Sequence, residues 1–406
     1  MSRRRAGVAA LLLLALSQFA AAQAPRWDRN QPGETLEIAL VTIGPGPVYW
    51  ERFGHNAIAV RDTVSGRSVL YNYGMFDFGQ VNFLLNFVRG RMQYQLVAQD
   101  AGADLASYEL SGRRVGVQHL NLSPPQRVAL RDFLEWNARP ENAGYRYDYY
   151  LDNCSSRVRD ALDQALEGLL AGASVGQPAR TTFRRETRRL TAPVPWLYLG
   201  THAGLGPTTD QPIDRWQAAF VPMTLQEIVR DIATADDDGR SIPLVAREER
   251  LQEATLPDPG AEPPAWRWRF ATTGLVLAAG LLGLRALRWR RALALAAGCV
   301  WLVAGLGGAL LLGLWLGTDH ASAWRNQNVL LFNPLALALL PALVSLWKGR
   351  MAGRVPRVIA LCIVLLAVAA LLLKALPLEW QDNGDWIALW LPIHIALAAA
   401  LVPRKG

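Results

Sequence analysis

Thiols and imidazoles are scarce in this chain: its 406 residues include three cysteines and five histidines. Two of those cysteines, Cys299 and Cys362, lie inside long apolar runs. Cys154 is therefore alone in the polar part of the chain, which excludes a disulfide framework there. No zinc-ligand spacing, phosphate-binding loop or dinucleotide fingerprint is present, so neither a metal nor a cofactor is implied. The acidic stretch 231–240, DIATADDDGR, lacks the spacing and distal glutamate of a calcium loop and reads as an exposed loop. From 25 to 265 no apolar run is long enough to span a bilayer, and nothing repeats beyond the later helices.

What the chain does have is apolar surplus, 51% hydrophobic residues and a mean hydropathy of +0.11, and it is unevenly spread. Residues 1–24 read as three arginines, a short apolar core and small residues, the pattern of a secretory signal with cleavage expected after Ala22. A globular stretch, 25–265, follows. From 266 to 406 the sequence predicts a bundle of about five membrane helices, near 270–287, 292–317, 329–347, 358–376 and 386–402. The connection 285–291 carries four arginines, 348–357 carries one lysine and three arginines, and the tail ends Arg404-Lys405. The alternate connections, 318–328 and 377–385, carry one arginine and no basic residue. Positive loops stay in the cytoplasm, so the globular stretch is expected on the periplasmic side of a bacterial inner membrane. The net charge of +8 follows from this topology and gives no reason to expect nucleic acid as a partner.

In the globular stretch, 35–42 reads as a first strand, and 55–60 with 68–73 as a hairpin turning near Val64. That register sets His55 opposite 72–74, where Asn72 can share its face and orient its ring. A helix is expected over 81–88, ending at Gly90, strands over 91–99 and 115–122, and a helix capped by Ser123 to about Asn137. His119 and His202 read as packed or surface residues. The stretch 150–161, YLDNCSSRVRDA, turns an Asp-Asn pair into an amphipathic helix, expected to run to about Leu170, with Cys154 in its first turn. Two readings of that thiol are open: an inert packed cysteine, or a nucleophile whose thiolate is favoured by the helix start and paired with His55. The order, histidine on a hairpin and then cysteine on a helix, is the reverse of papain-like enzymes, as a circular permutation would give.

Phe53-Gly54-His55, Tyr71-Asn72-Tyr73-Gly74 with Phe76-Asp77-Phe78, and Asp152-Asn153-Cys154 with Arg157 together resemble the Lnb N-terminal periplasmic domain family over roughly 35–224. The patch 326–334 is similar too. The resemblance implies an α+β, circularly permuted papain-like (NlpC-type) domain related to lecithin:retinol acyltransferase. It implies the activity of the family's namesake, a membrane transacylase that moves an acyl chain from a lipoprotein diacylglyceryl group to an amine. Cys154 would be the nucleophile and His55 its base, with Asn72 as the orienting residue from the hairpin register. Asn153, Arg157, Tyr73 and Asp77, with Arg184 and Arg185, are the candidates for contact with a lipid or lipoprotein substrate.

Three functions are open to the sequence: a membrane-anchored Cys-His acyltransferase, an exported thiol peptidase or amidase acting on cell-wall peptide, and a non-catalytic sensor or scaffold. Five spans exceed what an anchor needs and favour the first. Arg184, Arg185, Arg188 and Arg189 read equally as contacts for anionic headgroups and as a solvated helix face. Trp196, Trp216, Trp266 and Trp268 suit interfacial burial. Asp319, His320, Arg325 and Asn326 are expected outside or at the interface, Lys374 reaching outward, and His394 within a span.

Overall fold

The computed structural model describes residues 27–402 other than 29, 78, 237, 351 and 377–379. The expected signal segment 1–22, Phe78 and the terminal Arg404-Lys405 lie outside the described residues.

Alternating apolar residues build one antiparallel sheet of seven strands. They are β1 (Leu36–Ile43), β2 (His55–Asp62), β3 (Ser68–Met75), β4 (Gln93–Asp100), β5 (Val115–Leu120), β6 (Gly144–Arg146) and the late strand Val245–Gln252. Their order is the late strand, β5, β1, β2, β3, β4, β6. The middle strands are covered on both faces, which is why β1 reads as a nearly unbroken apolar run. On one face Leu36, Ile38, Leu40, Ile58, Val60, Val69 and Tyr71 pack against Leu130 and Leu134 of the helix Pro124–Asn137 and Val158, Ala161 and Leu162 of the helix Cys154–Ala165. On the other, Ala39, Val41, Ile43, Ala57 and Leu70 meet Leu105 and Tyr108 of the helix Ala101–Leu110.

The hairpin forms as its sequence predicts. Ala57 pairs with Asn72 and Arg61 with Ser68, and the Asp62 carboxylate accepts from the backbone N–H of Val64 and Ser65 to close the turn. The cysteine helix stops earlier than its periodicity suggests, at Ala165. Glu167 and Gly168 take positive φ of 54° and 87°, and a separate helix, Leu169–Ser174, follows. Left-handed backbone cannot continue a right-handed helix, and glycine adopts it without steric cost.

Among the described residues, five segments are long and apolar enough to cross a membrane: Arg267–Ala286, Arg290–Gly317, Gln327–Lys348, Arg354–Ala375 and Gly384–Leu401. The third departs from a plain helix. It runs as 3-10 turns over Gln327–Leu330 and Pro334–Ala342 before an α-helix, Leu343–Lys348. Pro334 and Pro341 lack the N–H that an α-helix would use, and Asn326 and Asn333 cap the pieces with their side chains. His394 is a packing residue: its Nε2 donates to the Leu331 carbonyl at 2.8 Å and its ring stacks on Trp390.

The globular part is fastened to the bundle by polar contacts. Asn326 and Asn328 both donate to the Ala203 carbonyl, and Gln381 donates to the Leu205 carbonyl, at 2.8–3.1 Å. Arg188 bridges to Asp382 at 2.8 Å and to Asp385 at 3.0 Å, and His202 lies 3.3 Å from Asp385. The basic stretch thus divides its work. Arg184 is fully buried, ion-paired with Asp210 and donating to the carbonyls of His202, Leu205 and Gly206, whereas Arg185 is half-buried and paired with Glu262.

Removing one partner of a buried pair strands the other. Arg188→Met is therefore expected to destabilise the full-length protein by about 3–5 kcal/mol. Arg185→Ala should change stability by less than about 1 kcal/mol. Unfolding in detergent, followed by intrinsic tryptophan fluorescence, reads both.

Candidate functional site

Cys154 opens its helix because Asn153 caps it. The Asn153 Oδ1 accepts from the N–H groups of Ser155 and Ser156 at 2.9 Å, and its Nδ2 donates to the carbonyls of Tyr149 and Phe220. Ser155 then ties this first turn to the sheet, its hydroxyl lying 2.8 Å from Asn56 Oδ1 and 2.6 Å from the Ala219 carbonyl. The backbone N–H groups of Asn56, Ser155 and Cys154 itself favour the charged form of the Cys154 sulfur. Gly74, with φ +85°, leaves the room: a Cβ added there would stand 3.1 Å from the Cys154 Cβ. The sulfur therefore lies against the open end of the β2–β3 hairpin, beside the residue that follows His55.

His55 Nε2 lies 3.0 Å from Asn72 Oδ1, and Asn72 Nδ2 donates to Asp104 at 2.7 Å. Because a carboxylate only accepts, Asn72 must present its amide nitrogen to Asp104 and its oxygen to His55. His55 accordingly carries its proton on Nε2 and a free lone pair on Nδ1. Sequence reasoning missed Asp104; only the packing of its helix on the Asn72 face reveals it. It also missed Arg113, which is buried, donates to the Gly44 carbonyl and stands over the Tyr108 ring at 5.5 Å.

Electrostatics correct the expected thiolate. Burial pushes the Cys154 thiol above its ordinary range, although the three N–H groups and Arg113 oppose it. Burial, with a smaller contribution from Arg113, lowers the His55 imidazole to about 4 against the raising effect of Asn72. At neutral pH the Cys154 side chain is therefore a thiol and the His55 imidazole is neutral.

The other candidates lie elsewhere. Tyr73 points to the opposite face of β3 from Asn72 and donates to Asn137 in the core. Arg157 is bidentate to Asp152 and stacks over Tyr145 at 4.2 Å. Together with Asp152 and Asp160, Tyr73 and Arg157 line a separate cleft of about 410 Å³ that neither Cys154 nor His55 lines. Asp77 is exposed and caps the N–H of Gly79, while Arg184 and Arg185 hold the structural contacts described above.

Alkylation of Cys154 by iodoacetamide, in full-length protein with Cys299 and Cys362 changed to alanine, should report this state. The rate is expected to climb through alkaline pH with no plateau at pH 5–6. A plateau there would mean a preformed thiolate–imidazolium pair.

Comparison with known proteins adds two family matches. Residues 23–188 match the Lnb N-terminal periplasmic domain, and residues 269–404 match the Lnb transmembrane domain. No curated protein and no solved structure matches the chain. The two matched regions leave only the ends and one connecting stretch uncovered, and they fix the side of the membrane on which the sheet stands. The chain belongs to the Lnb family, as an inner-membrane protein with its N-terminal domain in the periplasm and a multi-helix transmembrane domain behind it.

Proposed function

We propose that this protein is a thiol acyltransferase of the Lnb type, with a permuted papain-like periplasmic domain, moving an acyl chain from a lipid or lipoprotein ester to an amine. The observation that carries the reading is the chain of hydrogen bonds from Asp104 through Asn72 to His55, on the strand whose next residue, Asn56, accepts from Ser155 in the first turn of the Cys154 helix.

The chemistry divides into two steps. As the Cys154 sulfur attacks the ester carbonyl, His55 Nδ1 takes the thiol proton, and the oxyanion that forms is stabilised by N–H donors at the helix start. The C–O bond breaks, His55 returns the proton to the departing glycerol oxygen, and a thioester remains. An amine then attacks the thioester, His55 accepts its proton, and the C–S bond breaks as the proton returns to sulfur. Water in place of the amine would give hydrolysis, so transfer needs a site that admits lipid and excludes bulk water.

The test is incubation of the full-length protein, in lipid, with a diacylated lipopeptide and with cell-wall peptides, followed by mass analysis. The expected product has one acyl chain moved from the ester to an amine. Cleaved peptide bonds without acyl movement would support the peptidase reading instead. Cys154→Ala should abolish transfer, and His55→Ala should slow it by about 10²–10⁴-fold. Asp104→Ala forfeits one hydrogen bond of about 1 kcal/mol and should cost roughly tenfold or less, whereas Asn72→Ala forfeits two, to His55 and to Asp104, and should cost somewhat more. Full activity in Cys154→Ala would sink the reading.

A further inference from the structure

The helix Phe83–Arg89, sequence FLLNFVR, buries none of its residues in the protein. Leu84 is 72% exposed, Val88 52% and the preceding Val81 83%, with Leu85 and Phe87 also open. Water is a poor solvent for such a patch, and a contiguous apolar surface of this kind marks a place where something apolar covers it. Its position names the cover. The membrane segment Arg290–Gly317 ends just below, and Asp319, two residues beyond it, donates its N–H to the Arg89 carbonyl at 2.8 Å. The Asp319 carboxylate also accepts from Arg91 at 2.7 Å and Arg146 at 3.0 Å, and His320 Nε2 donates to the Phe87 carbonyl at 3.1 Å. The helix is thereby held level with the periplasmic end of a transmembrane segment.

Aromatic rings continue the surface in two directions. Outward, Phe76 meets Trp50, Trp50 meets Tyr49, and Tyr49 meets Trp196 at 4.6–6.4 Å, and Tyr49, Trp50 and Trp196 are all exposed. Trp196 belongs to the helix Pro195–Gly204, whose Ala203 carbonyl is held by Asn326 and Asn328 at the top of the bundle. Exposed tryptophan and tyrosine at that level suit a bilayer interface. Inward, Phe83 stacks on Phe76, Phe76 lies 5.1 Å from Tyr94, and Tyr94 stacks on Tyr147 at 4.1 Å. Tyr94 and Tyr147 are near enough to Cys154 that a thiolate there would oppose ionisation of both phenols.

We propose that the helix Phe83–Arg89, with Tyr49, Trp50 and Trp196, is immersed in the periplasmic leaflet of the inner membrane and forms the port by which an acyl chain passes along Phe76, Tyr94 and Tyr147 to Cys154. The immersion stands by itself; the passage of an acyl chain rests on the acyltransferase reading. Arg89 and Arg91 at the helix end sit where headgroup phosphates lie, while the apolar side chains reach the acyl region.

Spin labelling of the full chain in nanodiscs of phosphatidylethanolamine and phosphatidylglycerol decides the immersion. Labels are placed at Leu84→Cys and, as an aqueous control, at Val64→Cys in the turn at the far end of the hairpin, with all three native cysteines changed to alanine. Leu84 should be relaxed more by dissolved oxygen than by a water-soluble nickel chelate, and Val64 the reverse. A Leu84 label that behaves like Val64, or is shielded from both reagents as beneath a protein partner, overturns the proposal whatever the enzyme does. For the port, Leu84→Glu with Val88→Glu should slow transfer from an ester embedded in vesicles at least tenfold. Alkylation of Cys154 by iodoacetamide should stay within twofold of wild type, showing an intact site. No loss of transfer, or an equal loss of alkylation, overturns the port. Absence of transfer in the wild type would defeat the acyltransferase reading and leave the spin-label result standing.

Discussion

The first turn of the cysteine helix is pinned to the strand that carries the histidine, and the rest of the site follows from that union. The Ser155 hydroxyl, wedged between the Asn56 side chain and the Ala219 carbonyl, joins two segments about a hundred residues apart in a buried place where an unmade hydrogen bond would be costly. Asn56 also offers its backbone N–H to the sulfur. One residue back, His55 is oriented by Asn72 from the neighbouring strand, and Asn72 is in turn held by Asp104 from a helix on the far side of the sheet. Four elements are thus tied to one another near the start of the cysteine helix by hydrogen bonds rather than by apolar packing alone. Under the proposed acyl transfer such positioning matters, because a small misplacement of base or nucleophile forfeits much of the rate.

The sequence was most legible where local pattern and chemistry coincide. The β2–β3 hairpin, with its Ser-Gly turn, set the register that brings Asn72 beside His55. The asparagine before Cys154 announced the helix start, and arginine placement around the apolar runs announced which side of the membrane each end occupies. The matched family domains agree with that topology. Less legible was everything decided by tertiary contact. Asp104 is one acidic residue in an ordinary helix, and nothing local says that it faces an amide on the sheet. Arg184 and Arg188 look like solvated charges in a run of arginines, yet one is buried against Asp210 and the other joins the globular part to Asp385. The sequence left the state of the thiol open for a related reason. The helix start does favour thiolate, but burial, which the sequence does not display, outweighs it.

The third membrane segment repeats this lesson in an apolar setting. Its hydropathy predicts a plain span, and its length is that of one, but prolines and capping asparagines break it into 3-10 pieces. Backbone groups freed inside a bilayer need partners within the protein. Here His394 supplies one, on the Leu331 carbonyl, which gives this intramembrane imidazole a structural task.

The grip of Asn326, Asn328 and Gln381 on the carbonyls of Ala203 and Leu205 has a practical corollary for anyone who would work with the periplasmic part by itself. Those carbonyls end a helix, and Arg188 and His202 beside them face Asp385 from the bundle. Severed near residue 265, the fragment would present a raw polar scar and an arginine stripped of its carboxylates where the intact molecule has a sealed joint. The two halves are better regarded as one folding unit spread across two solvents than as an enzyme with a detachable tether.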